Sequence, residues 1–492
     1  MQLRSHFRCF VFSTAFISLT LTGCSRGPGG GTSISGGKLW RVFQTSPQAA
    51  GLTIVGEDLQ PLANAKVLIG NEEGHPFPGN FLTTDSQGHL DLPAGWTGAE
   101  AVTLEAPGYV RATYFGQEPG TRTYRLRKKT NMATSQFEVK GITQGHTVKD
   151  RDGFIDFSLV IPAMTRNDFL NFDINSVISP QIDTIQVLGQ DADIPSNIAF
   201  PKQKESYFLP VTLEKPGYRV YFGDSGIHRI FAARGRFPFK EVVDQIRNKA
   251  PFYNLVNYFS ILGGGVRDLE ITNGSTQADL AVNEMDFKSK TPVVAPAFRA
   301  DESMLVVGIS HMAEYLLPTD VKILKAGQKR DIAALDAQGS LFYILKKTQD
   351  MENSGPGTDR LSAVLLPVGK VNTPEFLPLM ADPSLSARGE LLVPKMNPLP
   401  GVNPVATYAL MSVTREVLQG KDRLKVNSSY WEMYGHQWME SMEVPKWPGD
   451  QALSGKKHWE VNLIGSQTVS EVDLGPAMIN NATHVTHSSV EF

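Results

Sequence analysis

Apolar and polar positions alternate with a period of two along much of this chain. Ile155, Phe157, Leu159 and Ile161 fall on one face with Asp156 and Ser158 opposite, and Trp459, Val461 and Leu463 stand against Glu460 and Asn462. This period belongs to half-buried strands of antiparallel sheets. From Leu52 to Leu126 seven short strand-like runs, separated by Gly, Pro and Asp, predict a small sandwich. They centre on Leu52–Val55, Lys66–Ile69, Phe81–Leu82, Leu90–Leu92, Ala101–Leu104, Ala112–Tyr114 and Tyr124–Leu126. One segment departs from the pattern: Phe239, Val242, Val243, Ile246 and Ala250 recur at intervals of three and four, the stripe of an amphipathic helix, bounded by Pro238 and Pro251. The expected fold class is therefore mostly β, with tandem antiparallel β-sandwich (immunoglobulin-like) domains and one short helical segment.

Length divides this pattern into domains. With 492 residues the chain exceeds the roughly 250–300 at which single cores stop growing. Seams are expected at Lys128–Ser135, Met351–Asp359 and the Pro-rich Asn397–Pro404. The expected organisation is a leader at 1–23, a linker at 24–45, a sandwich at 46–129, a β-rich domain at 130–292 with its helix near 238–250, a second at 293–400, and a C-terminal sandwich at 401–492. A net charge of -3 offers no basic field for nucleic acid.

The first two dozen residues carry an address. Arg4, His6 and Arg8 make a positive start, and Cys9 to Leu21 is apolar without a charged side chain. That run is shorter than the roughly 20 residues of a membrane span and suits a signal h-region. It ends in Leu21-Thr22-Gly23-Cys24, which resembles the lipobox of bacterial lipoproteins. The resemblance implies cleavage before Cys24 and lipidation of its sulfur. Ser25 stands where aspartate is associated with inner-membrane retention, so the implied location is the outer membrane, with its face unresolved. Ser25 to Gly37 is Gly/Ser-rich, a flexible tether of about 20 Å. The two cysteines are Cys9 and Cys24, so processing leaves no pair for a disulfide.

Three motifs in the first sandwich resemble carboxypeptidase regulatory-like domains. They are Pro61-Leu62-Ala63-Asn64-Ala65-Lys66-Val67, the turn Thr84-Asp85-Ser86-Gln87-Gly88, and Gly108-Tyr109. In that family the module is an accessory piece, and the resemblance implies no catalytic residue here.

Chemical motifs are sparse. Gly223-Asp224-Ser225-Gly226 and Gly308-Ile309-Ser310-His311-Met312 resemble serine-nucleophile turns, but Ile227-His228 and the bulky Met312 break both patterns. Asp150-Arg151-Asp152-Gly153 resembles part of a calcium loop, with Val148 and Leu159 at positions that need carboxylates. His311-Met312-Ala313-Glu314 has a spacing that resembles the first zinc ligands of metallocarboxypeptidases, and His436 follows 125 residues on. A zinc-dependent peptidase using His311, Glu314 and His436 is thus the alternative function. His484 and His487 are three apart and fall on opposite faces of a strand.

The leading expectation is a membrane-anchored envelope lipoprotein that binds, adheres or builds structure, without cofactor or metal. Its expected partners are the membrane, through the lipid, and an envelope glycan or protein. A candidate ligand face lies near the C-terminus, where four of six tryptophans fall between Trp431 and Trp459. If Ser429 to Met439 is a strand, Tyr430, Glu432, Tyr434, His436 and Trp438 share one face. That face would combine stacking surfaces with polar tips.

Overall fold

The computed structural model describes residues 17–19, 50–70, 81–129, 137–165, 172–173, 182–187, 190–206, 208–222, 225–248, 250–272, 274–312, 315–334, 339–351, 358–369, 373–419, 422–450 and 456–492. Cys24 and Glu314 lie outside them. The described chain is mostly β, in several sheets, with few helical turns.

A thirteen-stranded sheet organises the molecule. Its strands in chain order are β1 (Lys66–Ile69), β2 (Leu82–Thr83), β3 (Glu100–Glu105), β4 (Arg111–Gln117), β5 (Met164–Thr165), β6 (Glu302–Met312), β7 (Tyr315–Leu324), β8 (Ser340–Lys347), β9 (Leu361–Pro367), β10 (Asn403–Gln419), β11 (Asp422–His436), β12 (Lys456–Ser466) and β13 (His484–Glu491). The spatial order is β5-β7-β6-β8-β9-β13-β12-β10-β11-β4-β3-β1-β2. Every ladder in it is antiparallel except β11 with β4, which run parallel. That ladder joins residues 111–114 to 431–434, so segments 46–129 and 401–492 contribute to one sheet.

All seven early runs are strands. Gly51–Gly56 pairs with His89–Asp91 and with Arg122–Leu126, and this small sheet faces β1, β3 and β4. Leu52, Ile54, Tyr124 and Leu126 from one side meet Val67, Val102, Leu104 and Tyr114 from the other, and the same core continues into Tyr408, Tyr434 and Ile464. The Asp85 turn forms as its residues require. Asp85 Oδ1 accepts the backbone N–H groups of Gln87 and His89, and Gly88 has a φ of 69°, a left-handed conformation that suits glycine.

A second sandwich fills the middle of the chain. Six strands (210–215, 198–206, 154–162, 226–238, 260–271 and 285–286) pack on a smaller sheet built around Phe137–Gln144. The expected helix is present at Phe239–Arg247, with Pro238 at its N-cap and Phe239 and Val242 buried. The three glycines at 263–265 lie inside the strand Ser260–Ile271. A Cβ on Gly265 would overlap the Ala281 carbonyl oxygen. Backbone cannot yield as a side chain can, so Gly265→Ala should cost roughly 1–3 kcal/mol through overpacking. Urea unfolding of the variant checks this, and an unchanged midpoint would refute the close approach.

Candidate functional site

The parallel ladder between β4 and β11 carries buried polar side chains on both of its faces. Its register pairs Arg111 with Trp431, Glu432 with Ala112, Met433 with Thr113, and Tyr434 with Tyr114. Alternate side chains therefore go to opposite faces, and both faces are covered.

On one face Arg111 is held among aromatic rings. Its guanidinium lies 4.6 Å from the Trp431 ring centroid, 4.5 Å from Trp447 and 5.3 Å from Tyr430. It donates to both oxygens of Asp450, at 2.7 and 2.9 Å, and to Glu105 at 2.9 Å. The Tyr430 hydroxyl donates to Asp450 as well. Burial opposes ionisation of Asp450, but Arg111 and Tyr430 outweigh it and hold the carboxyl below its usual range. Phe81 meets Trp447 at a tilt, with ring centroids 4.5 Å apart, and Lys66 lies over Phe81. Trp431 Nε1–H donates to Thr113, which bonds Thr103 in turn.

On the other face Glu432 is buried and receives three donors. Arg127 Nε–H lies 2.6 Å away, the Tyr408 hydroxyl 3.0 Å and the Tyr434 hydroxyl 2.9 Å. Arg127 and Glu432 side chains are each 2% exposed. Arg127 Nη1 and Nη2 are buried without a hydrogen-bond partner. Tyr434 stacks on Tyr114 with centroids 5.0 Å apart and meets Tyr408 at 5.2 Å. Burial and the Glu432 carboxylate push both hydroxyls of this pair well above the usual tyrosine range.

This geometry corrects the expected ligand face. Glu432 and Tyr434 are turned into the protein, where internal partners take their polar atoms. The ladder between β10 and β11 is bulged between Met411 and Ser412, whose partners are Trp431 and Ser429. Tyr430 is the extra residue, so the alternation slips there and Tyr430 packs with Trp431 instead of Glu432. At the other end β11 stops at His436 and Gln437 takes a φ of 58°. His436 is exposed, and Trp438, beyond the strand, donates its Nε1–H to the Ile464 carbonyl. The five residues do not form one open face.

The zinc constellation is not assembled either. His311 lies in β6, where Nε2 bonds the Ser340 hydroxyl at 2.8 Å, whereas His436 ends β11. Strands β8, β9, β13, β12 and β10 stand between them, a separation of roughly 29 Å along the sheet at about 4.8 Å per strand. Ser310 is buried within β6 rather than raised on an elbow. The acidic turn near Gly153 uses its carboxylates on the protein itself: Asp150 accepts the Lys204 N–H, and Asp152 accepts the Phe154 N–H and pairs with Arg236. Among the described residues no group of three or more His, Cys, Asp or Glu is placed to hold a metal.

Nothing local in the sequence singles out Arg111, Arg127 or Asp450. Arg111 and Arg127 flank or sit within strands of the first sandwich, and their partners Asp450 and Glu432 lie more than 300 residues away. The tryptophan density was the one signal available, and it marked the right region for a different reason.

No family model matches the sequence, and no curated protein matches it. Solved structures give distant similarities. The Bacillus anthracis TIE protein aligns at 12% identity and a TM-score of 0.15 over 61% of this chain, which spans 45% of that protein's length. The major pilin subunit BcpA of Bacillus cereus aligns at 10% identity and 0.14 over 79% of this chain and 99% of its own. The pilus adhesin SpaC from Lactobacillus rhamnosus GG aligns at 9% and 0.12 over 78% and 43%. TM-scores of this size do not establish a shared architecture.

Proposed function

We propose that this chain is a lipid-anchored structural or adhesive protein of the cell envelope, held at the outer membrane through Cys24. The observation that carries the reading is Leu21-Thr22-Gly23-Cys24 at the end of a charge-free apolar run, followed by a Gly/Ser-rich tether. Several acyl chains on one cysteine anchor firmly, because each buried methylene contributes about 0.8 kcal/mol and a single chain is marginal. The arrangement of the folded part agrees with a role in holding structures together. The unit nearest the tether is hydrogen-bonded directly to β11, and Arg111, Asp450, Arg127 and Glu432 at that junction are engaged with one another. An envelope glycan or protein is the partner that exposed β-sandwich surfaces would meet there.

Cys24→Ala tests the anchor. The variant should lose incorporation of radiolabelled palmitate and leave the membrane fraction, or accumulate as an unprocessed precursor. A variant that is labelled and fractionates like wild type overturns the reading.

A further inference from the structure

The long sheet has a seam. Strands β5 to β9 come from the middle of the chain and join the C-terminal strands through one ladder of four pairs between β9 and β13, Leu361 with His487 through Val364 with His484. His487 sits at the start of that ladder with both ring nitrogens engaged. Nε2 is 3.3 Å from Asp359 Oδ2, and Nδ1 is 3.0 Å from Asn462 Oδ1. Both partners are oxygen acceptors in this amide orientation. A neutral imidazole has a single N–H and would leave one nitrogen lone pair facing an oxygen, whereas the imidazolium donates to both. Asp359 lies on the segment that enters β9, and Asn462 lies on β12. The ring therefore ties the entry of β9 across β13 to β12.

We propose that His487 and Asp359 form a proton-operated latch on this seam, closed when the imidazole is protonated and loosened when it is not. The groups around the ring set its working range. Asp359 faces it from the segment entering β9, Glu460 from β12, and Lys346 from β8, which pairs with Leu361 beside it. His458 interacts with Glu460 and Asp359 on the same side. Burial alone would discharge His487, but the Asp359 carboxylate outweighs it and raises the imidazole above its ordinary value. Burial also opposes ionisation of Asp359, and the hydrogen bond and charge of His487 lead the groups that outweigh it, so its carboxyl is held below the usual range. The imidazolium contribution is complete below the unfolded histidine value near 6.5 and is lost as pH rises through the raised folded value. Asp359 contributes above the ordinary carboxylate range and loses its contribution as pH falls through its lowered value. Lys346, lowered to about 8 by burial, acts in the opposite sense. The folded state sheds that proton before the unfolded state does, so its burden on stability is relieved above about 8.

The latch can be tested on the intact chain by histidine-selective NMR titration and by hydrogen exchange from pH 5 to 9. His487 should titrate above 6.5, and Asp359→Asn should lower that midpoint. Exchange protection of β9 and β13, corrected for intrinsic base catalysis, should fall through the His487 titration while β10 and β11 stay protected. A His487 midpoint at or below 6.5 overturns the proposal. So does a midpoint that Asp359→Asn leaves in place, or seam protection that follows the control strands at every pH. If Asp359→Asn does not fold, the wild-type titration and exchange decide alone.

Discussion

Glu432→Leu should be among the most destabilising single changes available in this protein. Breaking one partner of a buried ion pair costs roughly 3–5 kcal/mol, because the other charge stays buried without compensation. Here the variant leaves Arg127 in the core and deprives the Tyr408 and Tyr434 hydroxyls of their acceptor, at about 1–3 kcal/mol for each buried group left unsatisfied. Arg127→Met should cost less, since Glu432 keeps both tyrosine donors. The double variant Arg127→Met with Glu432→Leu should recover much of the loss. The wild-type pair is incompletely satisfied at Arg127 Nη1 and Nη2, and apolar replacements of such pairs are often neutral or stabilising. Urea unfolding followed by tryptophan fluorescence reads all three. A loss below about 1 kcal/mol for Glu432→Leu would mean that the carboxylate is not carrying a buried charge.

Replacing Arg111 by lysine should be nearly as damaging as replacing it by alanine. Lysine keeps the charge but loses the planar fork that meets both Asp450 oxygens, and it stacks poorly on Trp431 and Trp447. Alanine leaves the carboxylates of Glu105 and Asp450 side by side without a cation and removes three cation–ring contacts. Each such contact is worth about 0.5–2 kcal/mol depending on desolvation, so a total near 3 kcal/mol is expected for Arg111→Ala and about 2 kcal/mol or more for Arg111→Lys. The charge-assisted share depends on Asp450, whose lowered carboxyl keeps the clasp charged until pH falls through that lowered value. Acid should therefore weaken wild type more than Arg111→Ala. Equal acid sensitivity in the two proteins would remove the ion pair from the account.

Local chemistry made much of the fold readable. Period-two alternation located the strands of the first sandwich, the three-and-four spacing located the helix at Phe239–Arg247, and Gly88 marked its turn. Each of these signals is carried by residues within a few positions of one another. The strip around Trp431 was readable as a strand but not as a face. Its alternation predicts an open side, and nothing local announces the bulge at Tyr430 or the left-handed Gln437 that reorient its ends. The zinc spacing failed for a related reason. His311 and His436 are related by sequence interval alone, and five strands lie between their positions in the sheet.

By itself the sequence determined the strands of the first sandwich, the strands around Phe157 and Val461, the helix after Pro238 and the Asp85 turn. These depend on backbone geometry and on solvent exclusion along one element at a time. Tertiary structure alone decided that β4 lies beside β11, so that Arg111 meets Trp431 and Asp450 and Arg127 meets Glu432. It also decided that β9 meets β13 through four pairs, with His487 between Asp359 and Asn462. Trp431 and Met433 on one face of β11 and Glu432 and Tyr434 on the other are buried, and a period-two pattern cannot say which strand will bury them. The partner is chosen by which of many distant strands satisfies the buried charges and the open sheet edge together.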